Sequence, residues 1–348
     1  MHDLPLDKED PQHMSNIAVM GAGAWGTALA LNLAQRGGHS VTLWAHNPDL
    51  AEAIRSSNEN TAFLPGFPVP SSVIVTGSSA EALNEAEVVL SVMPSHHVRE
   101  SYVSFAPHLH PSQCLVSATK GIEDQTGLRM SEVIAATLAE QGLELPIAVL
   151  SGPSFAQEVA AGSPTAVTIA SHDVKLAARI QRDFASSTLR LYTNEDVTGV
   201  ELGGALKNVI AIAAGAVNGL NLGHNSIAAL ITRGIVEITR LAVACGGRRE
   251  TLSGLAGVGD LVLTCTGSLS RNRWVGTELG KGRSLSEALA GLKGRVAEGV
   301  LTTSAALELA GRHNVEMPIT EQVHAILYQD KRPSEAIQDL MGRPGRDE

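Results

Sequence analysis

The residues best suited to chemistry fall in three clusters. Lys207 lies within Leu202-Gly203-Gly204-Ala205-Leu206-Lys207-Asn208-Val209-Ile210-Ala211-Ile212, where almost every neighbour is apolar or small. A lysine in such a helix-like segment either snorkels to water or is held against a partner. Desolvation and a second cation such as Lys120 lower its pKa, whereas a carboxylate such as Asp260 raises it. An amine tuned toward neutrality can exchange a proton with a substrate hydroxyl. Lys120 itself follows a strand-like run in Ser117-Ala118-Thr119-Lys120-Gly121, and a charge there points into any crevice beyond the strand. The third cluster begins at Gly259-Asp260 and ends Ser270-Arg271-Asn272-Arg273. Arginine can fork two N–H groups onto a phosphate, while Asn and Ser add neutral donors.

A fourth feature binds rather than reacts. The run at residues 17–20 leads directly into Gly21-Ala22-Gly23-Ala24-Trp25-Gly26. Following a strand, opening a helix and heading a β-α series, this G-x-G-x-x-G has the context of a dinucleotide loop. Gly21 allows the tight turn, Gly23 lets backbone approach a pyrophosphate, and Gly26 lets helix and strand pack closely. The helix N-terminus then offers free N–H groups to the phosphates. The second strand should end with an acid for the adenosine ribose, but it ends Leu43-Trp44-Ala45-His46-Asn47, and the first acid is Asp49. A 2′-phosphate is then not repelled, and His46 can meet it. NADP is at least tolerated, and the choice between NAD and NADP stays open. The second glycine cluster, Gly254-Leu255-Ala256-Gly257-Val258-Gly259, follows no strand; it reads as turns that bring Asp260 to the cleft.

These residues need elements to position them. Short β-branched runs at 17–20, 41–44, 73–75, 88–92, 114–117, 147–150, 166–170 and 189–192 alternate with helix-like segments such as 27–36, 80–87 and 129–141. Most runs are continuous rather than alternating, as strands covered on both faces are. The pattern predicts an α/β Rossmann domain over 15–196, with a doubly wound, mostly parallel sheet. From 197 to 341, Ala-, Leu- and Gly-rich segments with helical spacing dominate, for example 202–220, 226–245, 285–292 and 302–313. They predict an all-helical domain carrying the substrate and catalytic groups. A flexible N-terminal extension (1–14) and a flexible tail (342–348) flank the two.

Composition narrows the partners. The chain has 348 residues, 44% hydrophobic and 18% charged, enough for two ordinary cores. A net charge of −10 with no basic block argues against nucleic acid. A small anionic ligand must instead be held by a few cations inside a cleft. The three cysteines, Cys114, Cys245 and Cys265, form no CxxC pair, and the adjacent His96 and His97 lack partners, so no metal site is expected. Lacking a signal-like start and any apolar run of about 20 residues, the chain is expected to be cytoplasmic with no membrane span. A homodimer is compatible with the sequence.

Together these segments closely resemble the bacterial-type NAD(P)-dependent glycerol-3-phosphate dehydrogenases. GAGAWGTALA (21–30), ATKGIE (118–123), SGPSFAQEVAAG (151–162), ELGGALKNVIAIAAG (201–215), ITRG (231–234), GVGDLVLTCTGSLSRNR (257–273) and VEMPIT (315–320) run in family order. The resemblance implies interconversion of sn-glycerol 3-phosphate and dihydroxyacetone phosphate, with hydride passing between C2 and the nicotinamide, to feed phospholipid synthesis. It implies Lys207 as general acid/base, with Lys120 and Asp260 in positioning or proton-transfer roles. Gly152, Ser154, Ser270, Arg271 and Asn272 would complete the substrate site, Arg271 and Asn272 nearest the phosphate. Ala24, Trp25, His46, Lys120, Ala156, Arg271, Val296 and Glu298 match positions that contact the cofactor. Two other readings compete: another Rossmann-plus-helical hydroxy-acid dehydrogenase or reductase, and a dinucleotide-binding redox sensor. A carboxylate substrate could also use Arg271, but a sensor needs neither Lys207 in an apolar helix nor Lys120 at a strand end.

Overall fold

A computed structural model describes residues 14–292 and 294–345. Of the two flexible ends expected, residues 1–13 and 346–348 lie outside the described residues. Eight strands grow from the eight apolar runs: β1 Ser15–Met20, β2 His39–Trp44, β3 Val73–Thr76, β4 Val88–Ser91, β5 Cys114–Ser117, β6 Ile147–Ser151, β7 Thr165–Ala170 and β8 Leu189–Asn194. They form one sheet in the order β3-β2-β1-β4-β5-β6-β7-β8. Every pairing is parallel except β6 with β7, so the sheet is mostly parallel, as expected.

Helices cover both faces: α1 Ala24–Arg36, α2 Pro48–Ser57, α3 Ser79–Leu83, α4 Val98–Phe105, α5 Met130–Ala139, α6 Ala156–Ala160 and α7 Val174–Phe184. One apolar core lies between the sheet and helices such as α1 and α7, and a second lies beneath α4 and α5. Gly37 and Gly38, at φ 77° and 76°, stop α1. Helix α3 is shorter than the expected 80–87 stretch. The Glu87 N–H donates to the Asn16 carbonyl at 2.8 Å, which already lays the chain alongside β1.

Register is what matters for function. Met20 pairs with Trp44 and with Ser91, and Ser91 with Ser117. The carboxyl ends of β1, β2, β4 and β5 are therefore level, and the glycine loop, His46, Ser95 and Lys120 all leave along one edge. Strand order reverses between β1 and β4, where the crevice of a doubly wound sheet opens.

The remaining helices are α8 Val197–Gly219, α9 Gly223–Ala244, α10 Arg249–Leu252, α11 Asp260–Thr266, α12 Arg271–Gly280, α13 Leu285–Gly291, α14 Glu298–Arg312, α15 Pro318–Tyr328 and α16 Pro333–Met341. No strand occurs among the described residues beyond β8. Asp196 caps α8 by accepting the Gly199 N–H at 2.8 Å. Helix α8 is the hub of this half. By length and composition it is apolar enough to cross a bilayer, but 94% of that apolar window is buried inside the protein, as in a core helix. Helix α12 packs on it backbone to backbone: a Cβ on Gly276 would stand 1.9 Å from the Ile212 carbonyl oxygen. Buried carboxylates tie the structure together. Glu201 on α8 accepts from Arg129 Nη1 at 2.6 Å and from the Ser131 N–H at 2.8 Å, at the start of α5. Glu237 on α9 accepts the Ile319 and Thr320 N–H groups, both at 2.9 Å, at the start of α15.

Candidate active site

The glycine loop shows why each glycine is needed. Gly21 has φ +134°, and a Cβ on it would stand 2.4 Å from the Val92 carbonyl oxygen. A Cβ on Gly26 would stand 1.9 Å from the Gly21 carbonyl oxygen, so that residue sets how closely α1 meets β1. A Cβ on Gly23 would meet nothing within 4 Å. Gly23 is thus small for the sake of something other than protein. No side chain caps α1 at this end. The first N–H groups of a helix need partners, and an uncapped N-terminus at a crevice is suited to a diphosphate. These residues fit a dinucleotide.

Around the loop, Trp25 and Ala156 pack against the sheet core while partly exposed. His46 is exposed and sets its ring edge-on to Trp44, with centroids 5.6 Å apart. Val296 and Glu298 come from the other half. Glu298 opens α14 and accepts a 2.5 Å hydrogen bond from Ser95 Oγ, on the loop after β4. Burial raises the Glu298 pKa, while the bonds from Ser95 oppose the rise.

Beyond the ends of β5 and β6, the structure brings Lys207, Lys120 and Asp260 into contact. Lys207 Nζ donates to Asp260 Oδ1 at 2.5 Å and to Thr264 Oγ1 at 2.8 Å. Lys120 Nζ donates to Asp260 Oδ2 at 2.6 Å and to the Gly152 carbonyl at 3.1 Å. Lys207 does not snorkel; it is 7% exposed, and Asp260 1%. Burial pushes the Lys207 amine down to about 8; Asp260 opposes this and Lys120 adds to it. Thr264 completes the ring, its hydroxyl donating to the Asp260 carbonyl at 2.6 Å one turn back on α11. With its own proton so placed, the hydroxyl oxygen is left to accept the hydrogen bond from Lys207. Close packing holds the parts in place. A Cβ on Gly204 would stand 2.5 Å from Ser151 Oγ, and Ser154 Oγ donates to the Gly152 carbonyl at 3.1 Å.

The trio expected to bind an anion opens α12. Ser270 is its N-cap, with Oγ accepting the Arg273 N–H at 3.2 Å. Arg271 is exposed, and its guanidinium enters no hydrogen bond or ion pair among the described residues. Asn272 is more committed than the sequence implies. Its Nδ2 donates to Asn208 Oδ1 at 3.0 Å, and its Oδ1 accepts the Gly299 N–H at 3.0 Å. It joins α12 to the residue after Lys207 and to the start of α14. Among the described residues, no hydrogen bond or ion pair links Arg271 or Ser270 to the lysine pair. Thr264 and Asn208 escaped the sequence reading as separate site residues. The only trace of Thr264 was its i, i+4 spacing from Asp260 on a helix; Asn208 left none beyond adjacency to Lys207. No cluster of His, Cys, Asp or Glu suited to a metal ion occurs among the described residues.

A doubly wound sheet with an uncapped glycine-loop helix at its switch point, facing a buried lysine–carboxylate ring, defines a nicotinamide-dependent oxidoreductase. Comparison with known proteins makes the assignment specific. Residues 16–177 match the family model for the NAD-dependent glycerol-3-phosphate dehydrogenase N-terminus, and residues 196–338 match that for its C-terminus. The chain belongs to this family. It is 65% identical over 338 residues to a glycerol-3-phosphate dehydrogenase [NAD(P)+] of Acidobacterium capsulatum, covering 96% of this chain and 100% of the relative. A Koribacter versatilis relative of the same name is 61% identical, covering 96% of this chain and 99% of its own. A crystal structure of glycerol-3-phosphate dehydrogenase from Coxiella burnetii superposes with a TM-score of 0.90 at 41% identity, over 95% of this chain and 99% of that one.

Proposed function

We propose that this chain interconverts sn-glycerol 3-phosphate and dihydroxyacetone phosphate, supplying glycerol 3-phosphate for phospholipid synthesis. The observation that carries the reading is the Lys207 amine. Two of its three N–H directions are committed, to Asp260 and Thr264, which leaves the third for a substrate oxygen. NAD or NADP supplies the hydride-transfer chemistry when bound along the glycine loop. A ketone carries no acidic proton of its own, so reduction needs a donor beside C2, and Lys207 serves as that donor. In the reverse direction the neutral amine receives the hydroxyl proton. Lys120 and Asp260 orient the amine and hold its pKa near the working range. Arg271 takes the substrate phosphate, with Ser270, Asn272, Gly152 and Ser154 around it. Binding energy from that remote group then serves orientation at C2.

The division of labour follows the fold, with most dinucleotide contacts over residues 15–196 and most of the proton chemistry over residues 197–341. Free Cys114, Cys245 and Cys265 support a reducing, cytoplasmic setting. The direct test follows loss of reduced nicotinamide absorbance with dihydroxyacetone phosphate, once with NADH and once with NADPH. Turnover with at least one is expected. No turnover with either, alongside turnover of a 2-keto acid, would overturn the reading in favour of a hydroxy-acid dehydrogenase.

A further inference from the structure

Asn60 lies outside every segment so far assigned a role, yet it is among the most completely buried polar residues in the molecule, at 0% exposure. It sits after α2, on the segment leading to β3. Its side-chain amide reaches across to the glycine loop. Nδ2 donates to the Ala22 carbonyl at 2.8 Å and to Thr27 Oγ1 at 2.8 Å, while Oδ1 accepts the Phe63 N–H at 3.2 Å. Both amide hydrogens are committed. The Ala22 carbonyl can only accept, so the orientation of the Asn60 amide is fixed by chemistry.

The consequence runs through one peptide plane. In a trans peptide the carbonyl and the following N–H point in opposite directions. Holding the Ala22 oxygen toward Asn60 therefore turns the Gly23 N–H the other way. Gly23 is the residue whose added Cβ would find open space, and it heads a helix with no side-chain cap. Thr27, fully buried on the first turns of α1, ties the same amide to the helix, so loop and helix are aligned as one unit.

We propose that Asn60 is a positioning residue for the cofactor diphosphate: it orients the Ala22–Gly23 peptide so that its N–H faces the ligand. This rests on the dinucleotide reading of the crevice. Asn60 makes no ligand contact itself.

Asn60→Asp keeps the shape but places an acceptor oxygen against the Ala22 oxygen. The Kd for NADH and NADPH, measured by titration calorimetry, is expected to rise about tenfold, the scale of one lost hydrogen bond. ADP-ribose should weaken by the same factor, and adenosine, which has no diphosphate, should not. At saturating cofactor, kcat with dihydroxyacetone phosphate should stay within about twofold, a split that general loosening of the fold would not give. Thr27→Val removes the tie to α1 but keeps the Asn60 hydrogen bond to the Ala22 carbonyl, so it should raise the Kd less than Asn60→Asp does. If Asn60→Asp does not fold, Asn60→Ser is read in the same way. An unchanged Kd, or equal weakening of adenosine and ADP-ribose, overturns the role of Asn60. Failure of the unaltered protein to bind NADH, NADPH or ADP-ribose would instead overturn the dinucleotide reading.

Discussion

Lys120 and Lys207 hold opposite oxygens of one carboxylate, at 2.6 and 2.5 Å from Asp260. Lys120 leaves a strand of the sheet and Lys207 sits mid-way along the hub helix, so this ion triad closes only when both halves of the chain are in place. With Lys207 protonated, two cations share one anion, and the triad carries a surplus positive charge that would favour an anionic ligand nearby.

Removing the proposed proton donor should slow chemistry and spare binding. Lys207→Ala is expected to lower kcat by about 10²–10⁴-fold, the usual size of a general acid–base contribution. The Kd for the nicotinamide cofactor should hardly move. Single-turnover kinetics at saturating substrate check this; unchanged turnover would remove Lys207 from the proton transfer.

If Lys207 is the proton donor, the pH dependence should have opposite signs in the two directions. Ketone reduction then needs the protonated amine, and burial pushes that amine down to about 8, so the rate should fall as pH rises through that range. Alcohol oxidation needs the neutral amine and should climb through the same range. Paired pH–rate profiles test this, and two profiles moving the same way would contradict it.

Asp260→Asn takes away the anion that favours the charged amine. The Lys207 pKa, already lowered by burial, should drop further, moving the fall in ketone reduction to a pH below about 8. Breaking a buried ion pair from one side costs roughly 3–5 kcal/mol, so the Tm should fall as well. A pH midpoint that stays put would separate Asp260 from the titration.

Arg271 has no hydrogen-bond or ion-pair partner among the described residues and is free to meet a ligand. Arg271→Ala should raise KM for dihydroxyacetone phosphate far more than for unphosphorylated dihydroxyacetone, since only the former offers a bidentate anion. Equal losses for both ketones would argue against a phosphate contact.

His46 follows β2 where an acid usually holds the ribose. His46→Asp should shift the ratio of kcat/KM from NADPH toward NADH, because a negative charge opposes the 2′-phosphate. An unmoved ratio would place the discriminator elsewhere.

The sheet was legible because most of its strands are buried on both faces and show as unbroken apolar runs, the edge strand β8 alone alternating buried and exposed residues along its first four positions; all eight runs are strands. The glycine cluster at 254–259 was not. Read as turns, it forms a π-helical turn over Leu255–Gly259 that leads into α11. Its glycines have negative φ and serve packing: a Cβ on Gly257 would stand 2.0 Å from the Leu252 carbonyl oxygen. Composition alone does not separate a glycine that bends the chain from one that lets two segments touch. Lys207 stood out in sequence as the lone charge on its stretch of apolar helix. Asn60 did not, because an isolated Asn in a polar segment looks like any turn residue until its amide is seen against the Ala22 carbonyl.

The Asn272 carboxamide spans the gap between Asn208 and Gly299, and the neighbouring Glu298 is bonded to Ser95. Anion seat and crevice wall are thereby joined through the first residues of one helix. Turning the Asn272 side chain away would break its bond to the Gly299 N–H, one residue from the carboxylate that accepts from the sheet-side loop. Residues expected to seat the substrate phosphate and residues expected to meet the cofactor thus share one helix end, and a cofactor Kd that shifts when substrate is present would reveal coupling through it.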